Sequence, residues 1–382
     1  MAVYYITYYQ PESVTDLKLE ISPAGQQKSV YLIEKLDNIE KDYTVICLAE
    51  SGAKHGAHGT IKFDIGVHGK YVLLREFAKP NRVARKIHFY YRRRQLKQFL
   101  SKLTPKDTVI AYHSLQTADI FYKYKRKKDF RFVLELEEIY QDVVNCGAKK
   151  AAWERKVITA ADGYILAAEA LSKEIPAGRP YIVVNGTYHA EAERNVGFDD
   201  GKIHCVYAGT FDPTKGGAAA AAAAEFLPEN YHVHILGFGT DEQKKQLQEL
   251  IAAVQKKTKC TLTYDGLKSG EEYIQFLQKC HIGLCTQIPD AKYTETSFPS
   301  KVLVYLANGL RVLSVRIPAV ENSAVGGILY YYDNQSPQEI ANAIMSIPMK
   351  EDYNSRQLLN QLDKDCERNL KRLMEKMNNE LD

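Results

Sequence analysis

Thr296, Ser297, Ser300 and Lys301 crowd one short turn in the stretch TSFPSKVLVYLANGLRVLS, residues 296–314. A polar turn running into an apolar segment starts a helix there, and the free N–H groups and positive dipole end of a helix start attract an anion. Hydroxyls and an ammonium beside such a start suit a diphosphate. A second loop, GTFDPTKGG (209–217), offers the same chemistry: Gly209, Thr210 and Gly216 allow close backbone approach, and Lys215 brings a charge to phosphate oxygens. It is not a Walker A loop, because G-x-x-x-x-G-K-[ST] is not met. Gly237 and Gly239 in LGFGT and Gly266 in YDGLKSGEEY supply two further small-residue loops. Any one of them also reads as a plain turn, so the weight rests on their recurrence after successive strands.

The first half carries another set. His113 in YHSL and Glu137 and Glu138 in LELEEIY each follow an apolar strand, where they are candidates to bind or deprotonate an acceptor hydroxyl. A single histidine at a strand end also serves as a structural residue. His55 and His58 in SGAKHGAHGT are spaced for a metal only on a helix, so no metal site is expected. Trp153 reads as a packing residue.

These loops need a scaffold that places them on one edge. Apolar runs at 3–9, 43–48, 108–112, 132–136, 163–167 and 181–184 read as strands, and 29–36, 84–103, 116–124 and 148–161 as helices. The small-residue loop SPAGQQK, with Gly25, lies before the first helix, as in the opening of a nucleotide-fold half; an ordinary loop has the same composition. The polar segment 186–202 reads as a linker. The alternation then restarts, with strands at 204–207, 232–236, 261–264, 282–285 and 311–315 and helices from about 218, at 241–256, 270–279 and 302–307, the last stopped by Asn308-Gly309. Residues 336–382 have the composition of two helices. A sheet of this kind binds ligands at the carboxyl ends of its strands.

A chain of 382 residues fits two domains, and 45% hydrophobic with 26% charged residues fits a globular protein. No apolar run is long enough to span a bilayer, and the start MAVYYITYYQP reads as a buried strand rather than a leader. Seven cysteines without a C-x-x-C pair favour neither a disulfide framework nor zinc, pointing to a reducing cytosol. Residues 1–190 hold 30 Lys/Arg against 21 Asp/Glu, net +9, and residues 191–382 hold 21 against 26, net −5. The basic clusters at 81–97 and 123–128 suit anionic headgroups, a phosphorylated acceptor or nucleic acid, or form a solvated helix face. Ile87, Phe89 and Tyr90 among the arginines fit a membrane surface better than a duplex groove, and no other nucleic-acid signature is present.

Taken in order, GTFDPTKGG, LGFG, YDG and TSFPSKVLVYLANGL resemble the donor domain of GT-B glycosyltransferases, especially glycosyltransferase family 4. YHSL, LELEEIY, the Trp153, Glu154, Lys156 pattern, AADGYILAAEAL and VVNG resemble the first domain of a bacterial group within them, one with an F-P-S-K motif. The resemblance implies an α/β GT-B architecture of two facing Rossmann-like, doubly wound domains with an interdomain cleft: an acceptor domain at 1–185, a linker at 186–202, a nucleotide-sugar donor domain at 203–350, and a C-terminal helix at 351–382 that crosses back. It implies a hexosyltransferase moving a sugar from a nucleotide sugar, UDP-linked by default, to a glycan or lipid-linked acceptor in capsule, exopolysaccharide or glycolipid synthesis, with retention of configuration. Gly25, His113, Glu137 and Glu138 fall on the acceptor side. Gly209, Thr210, Lys215, Gly216, Gly237, Gly239, Gly266, Thr296, Ser297, Ser300 and Lys301 fall on the donor side. His113, Lys215 and Lys301 are the candidate catalytic groups. No cofactor or metal is expected, and the protein is expected in the cytosol, with peripheral contact to an anionic membrane through its basic half. One departure stands out: family members carry paired glutamates around this helix, and here Thr296 and Val304 occupy those positions, with Glu295 and Tyr305 beside them. The other readings are a nucleotide-sugar epimerase on the same fold and a glycosyltransferase-like partner or glycan-binding protein without turnover.

Overall fold

The computed structural model describes residues 2–52, 56–143, 146–194, 196–289 and 292–379. The chain divides into two compact units, Met1–Thr187 with Asp365–Asp382, and Tyr188–Lys364.

The first unit runs β1 (Val3–Thr7), α1 (Pro23–Ile39), β2 (Tyr43–Cys47), β3 (Ile61–Ile65), β4 (Gly69–Leu73), α2 (Arg82–Leu100), β5 (Thr108–Tyr112), α3 (Ala118–Lys128), β6 (Arg131–Leu136), α4 (Tyr140–Val143), α5 (Ala148–Ala160), β7 (Gly163–Leu166) and β8 (Tyr181–Val183). The sheet order is β3-β4-β2-β1-β5-β6-β7-β8. Every pairing is parallel except β3 with β4. Strands such as β7, buried at all four positions, need apolar side chains on both faces because helices cover both. Strand order reverses between β1 and β5, which places the segments after both strands at a switch point.

Two features of this unit differ from the sequence reading. SPAGQQK is not a loop: Pro23 begins α1, Ser22 Oγ accepts the Gly25 N–H at 3.1 Å, and Gly25 therefore sits in the first helical turn. Proline at the first position and serine at the cap are helix-start chemistry that the glycine obscured. The β3–β4 hairpin has no counterpart in the sequence reading. β3 is half-buried and exposed in alternation, and the turn after it is held by Asp37, which accepts the Val67 and His68 N–H groups at 2.8 Å each.

The second unit runs β9 (Ile203–Thr210), α6 (Gly217–Ala223), β10 (Tyr231–Phe238), α7 (Asp241–Gln255), β11 (Thr261–Gly266), α8 (Gly270–Lys279), β12 (Ile282–Cys285), α9 (Lys301–Ala307), β13 (Arg311–Val315), α10 (Pro318–Glu321), β14 (Tyr330–Tyr332) and α11 (Pro337–Ser346). Its six strands are all parallel, in the order β11-β10-β9-β12-β13-β14. The switch point here lies between β9 and β12. β9 and β10 are longer than their apolar cores suggest, so Gly209, Thr210 and Gly237 end strands instead of opening loops. Segment 186–202 is largely packed on this unit: the Glu191 N–H donates to Ala307 O at 2.9 Å and Arg194 pairs with Glu271. The final helix, α12 (Ser355–Asn379), begins in the second unit, and from Asp365 its residues belong to the first. There Leu373 and Met377 pack against Gly163 of β7, where an added Cβ would lie 3.2 Å from each of them. Among the described residues no helix is long and apolar enough to cross a membrane.

Candidate active site

At the switch point of the second unit, two glycines fix how closely three strands' ends approach. Gly237 has φ +141°, and a Cβ there would lie 1.7 Å from Gly209 O. Gly216 has φ +90°, and a Cβ would lie 1.9 Å from Thr286 O. Side chains are excluded at both by backbone atoms that cannot move aside. The loop after β9 is thereby clasped to the segment after β12, where Thr286 Oγ1 donates to Gly216 O at 2.7 Å and the Ile288 N–H to Thr214 O at 3.1 Å. Asp212 caps the Pro213–Lys215 turn by accepting the Thr214 N–H at 2.8 Å.

This arrangement brings Lys301 to the loop of Lys215. Lys301 is the first residue of α9, and its Nζ lies 4.0 Å from the centroid of the Tyr207 ring and 3.4 Å from Lys215 O. Tyr207 Oη is placed between the loop carbonyls of Thr210 and Lys215, at 2.8 and 3.0 Å. Gly209 leaves the space: a Cβ there would meet both Lys301 Nζ and Tyr207 Oη at 3.2 Å. Burial pushes the Lys301 ammonium down to about 8, and the charge of Lys215 adds to that. Cys285, beside it, is pushed up to about 12 by burial and stays a neutral thiol. The Lys301 ammonium thus faces an aromatic face and a carbonyl.

Gly239, Gly266, Thr296, Ser297 and Ser300 occupy the segments that end or follow β10, β11 and β12 on the same carboxyl edge. Ser300 is exposed and makes no side-chain cap bond to α9, so its hydroxyl is not spent on the helix. Thr240, by contrast, is spent: it forms a capping box with Gln243 at the start of α7. Tyr305 is not a stand-in for a glutamate. It is fully buried against Gly283, and its oxygen accepts the Ala208 N–H at 2.8 Å.

In the first unit, His113 follows β5 and is 1% exposed. Its Nε2 lies 2.9 Å from Glu154 Oε1, and Glu154 also accepts the Tyr140 N–H at 2.7 Å and the Gln141 N–H at 3.0 Å. The pair pins β5 to α4 and α5. A base needs access to its acceptor, and in this conformation His113 is enclosed. Glu137 is ion-paired with Lys28 of α1, and Glu138 is half-buried beside it. Sequence reasoning missed Lys28 and Glu135. Glu135 lies on β6, accepts a hydrogen bond from Tyr5 Oη at 2.7 Å, and is raised well above the usual carboxyl range by burial and by the charge of Glu137. Alternation along LELEE does separate an inward Glu135 from Glu138, but nothing local distinguishes a buried carboxyl from an exposed one.

A second buried cluster was also missed. His88 lies 3.2 Å from Glu50 and 3.4 Å from Glu76, and Lys79 Nζ lies 2.8 Å from Glu76 Oε1. A lysine already supplies the cation at its centre. His58 pairs with the same Glu76 at 3.3 Å, while His55 lies outside the described residues.

No protein-family model matches the chain, and no curated protein sequence matches it. Solved structures do. The chain is similar to the apo structure of OtsA, with a TM-score of 0.69 and 11% identity over 100% of both chains. It is similar to a sucrose-phosphate synthase from Thermosynechococcus elongatus, with a TM-score of 0.69 and 11% identity over 99% of both. HepE from Anabaena in complex with UDP gives 0.63 and 10%, over 96% of this chain and 95% of that one. Another OtsA structure is described as trehalose-6-phosphate synthase. Two parallel, Rossmann-like sheets matched end to end with these proteins define a GT-B fold.

Proposed function

We propose that the chain is a glycosyltransferase that takes a sugar from a nucleoside diphosphate donor held on the second unit. The observation that carries this reading is Lys301, a half-buried ammonium set on Tyr207 at the switch point, next to the loop of Lys215. When the bond between the sugar and the diphosphate breaks, negative charge grows on the leaving phosphate, and two cations fixed beforehand stabilise that charge. Lys301 and Lys215 are the two cations assigned to that charge, and Gly209, Gly216 and Gly237 let backbone N–H groups approach. Thr210, Gly239, Gly266, Thr296, Ser297 and Ser300 line the remainder of the donor site. UDP is the donor nucleotide favoured by the neighbours described with it, HepE with UDP and the E. coli trehalose-6-phosphate protein with UDP-2-fluoro glucose.

The acceptor falls to the first unit, with Gly25, His113, Glu137 and Glu138 on its carboxyl edge. The family 4 resemblance of the F-P-S-K motif supports retention and a glycan or lipid-linked acceptor in bacterial surface polysaccharide or glycolipid synthesis, on the cytosolic side. A membrane contact is supported by α2, where Val83, Ile87 and Tyr90 are exposed among the exposed Arg82, Arg85, Lys86 and Arg94. Arg92 does not belong to that face: it is buried and donates to Leu74 O at 2.6 Å and Ala49 O at 2.9 Å. Replacing Ile87 and Tyr90 by aspartate should release the protein from anionic vesicles, and unchanged binding would remove the membrane from the account.

A non-catalytic reading is favoured by one observation, the loss of both glutamates with Tyr305 consumed in packing. Thermal shift against a panel of nucleotide sugars, followed by turnover of those that bind, separates the two. Sugar release by the parent and none by Lys301→Ala supports the enzyme; binding without release by the parent supports a glycosyltransferase-like partner.

A further inference from the structure

A band of histidines crosses the amino edge of the second sheet, away from the lysines. His204 is the second residue of β9, and His232 and His234 lie on β10, with His232 paired to His204 in register. At ~3.3 Å per residue, His204 is about 20 Å from Thr210 at the other end of its strand. His204 Nδ1 lies 2.9 Å from His234 Nε2. The outer nitrogens are both on carboxylates: His204 Nε2 is 2.9 Å from Asp200 Oδ1, and His234 Nδ1 is 3.0 Å from Asp265 Oδ2. The two rings are within 19° of coplanar, and Phe198 stacks on both, at 4.1 and 5.2 Å. His232 stacks on His234 at 3.8 Å, with its Nε2 3.0 Å from Thr263 Oγ1, whose hydroxyl donates to Asp265 at 2.7 Å.

The protons in this chain do not add up. Asp200 and Asp265, carboxylates at neutral pH, can only accept. That puts the N–H of His204 on Nε2 and the N–H of His234 on Nδ1. A neutral imidazole has one N–H, so two lone pairs face each other across 2.9 Å. By the same count His232 donates from Nε2 to Thr263 and keeps its lone pair on Nδ1. Three hydrogen bonds along Asp200–His204–His234–Asp265 need three protons, and two neutral rings bring two. A cation must fill the difference.

We propose that His204, His234 and His232 form a binding site for a divalent transition-metal ion of the zinc class. One nitrogen of each ring lies within 4.8 Å of the others. Imidazole nitrogens are zinc ligands, and carboxylates that accept the outer N–H of a ligating histidine fix its tautomer and orientation. Zn–N distances of about 2.0–2.1 Å require the two facing nitrogens to separate by roughly 0.4 Å, and the His232 ring, stacked on His234, has to turn its nitrogen toward them. Such an ion ties β9, β10 and the segment of Phe198 and Asp200 together, so its effect is on the stability of the second unit and not on the transferred group.

The test uses tag-free, chelator-stripped protein titrated with Zn²⁺ against a chromophoric chelator, with Co²⁺ absorption as the report of coordination geometry. The parent should take up one equivalent and melt at a higher temperature with zinc. His204→Gln and His234→Gln should bind at least a hundredfold more weakly, and Asp265→Asn about 10–100-fold more weakly. His88→Gln, in the other histidine–glutamate cluster, should match the parent. If the glutamine variants do not fold, the Asp265→Asn affinity decides. No uptake by the folded parent, or uptake that survives His204→Gln and His234→Gln, overturns the proposal. A nitrogen-15 spectrum showing one proton shared between the rings, without zinc uptake, assigns the missing charge to a proton and ends the metal reading.

Discussion

Lys301 and Tyr207 form a cation–π pair, with the ammonium 4.0 Å from the ring centroid. Tyr207 also binds the carbonyls of Thr210 and Lys215 through its hydroxyl. One side chain thus orients the loop and the cation at once. Tyr207→Phe keeps the aromatic face and frees both carbonyls; it should cost about 1 kcal/mol in stability and raise the donor KM more than it lowers kcat. Tyr207→Leu removes the face as well and should cost a further ~1–2 kcal/mol in donor binding. Urea denaturation and donor titration read the two effects separately, and equal donor KM in Phe and Leu variants would remove the pair from the site.

The pH dependence follows from Lys301. Its folded value is about 8, lowered first by burial. Under the proposed function the ammonium binds phosphate oxygens below that pH, and the neutral amine above it does not. Under the proposed function, kcat/KM for the donor should therefore fall as pH rises through about 8. Bound diphosphate favours the charged form, so the fall in kcat should come at higher pH. Lys301→Arg keeps its charge throughout and should lose this limb. A pH profile of the arginine variant that still falls near 8 would assign the limb to another group.

Gly216→Ala and Gly237→Ala test the clasp at the strand ends. Each new Cβ meets a backbone oxygen, Thr286 O at 1.9 Å or Gly209 O at 1.7 Å, at a positive φ. Overpacking of about 1–3 kcal/mol and a left-handed backbone costing about 1–2 kcal/mol together predict a loss of about 2–5 kcal/mol for each. Chemical denaturation checks it. Gly239→Ala, where the close atoms include the end of the Gln243 side chain, should be milder.

Glu154→Ala should be among the most damaging changes in the first unit. It removes the acceptor for His113, the Tyr140 N–H and the Gln141 N–H in a site with no exposure. Leaving those donors unpaired predicts a loss of about 3–5 kcal/mol, measured as a shift in the denaturation midpoint. His113→Gln, which can still donate to Glu154, should cost less than half of that.

Much of the architecture was legible because fully buried parallel strands write themselves as apolar runs. β5, β12 and β13 have the bounds that composition predicts. The β3–β4 hairpin was not legible because β3 is an edge strand with no fully buried position, and its pairing is set by Asp37 from a helix distant in sequence. At the candidate site, Lys215 and Lys301 could be named from loop chemistry, yet Tyr207, which joins them, reads as one more apolar residue of a strand. His113 shows the opposite limit: its place after a strand was visible, but its enclosure by Glu154 depends on α5, 41 residues away in sequence. His204, His232 and His234 were invisible as a group because two strands carry them and Thr263 on a third completes their contacts.

The central claim is that Lys301 holds a nucleoside diphosphate. Calorimetric titration of UDP into the parent and into Lys301→Met, with melting temperatures compared, tests it most directly. The account predicts saturable binding by the parent and binding at least a hundredfold weaker in the variant, at an equal or higher melting temperature, since a half-buried charge has been replaced by an apolar chain of similar length. Equal UDP affinity in the two proteins would contradict it.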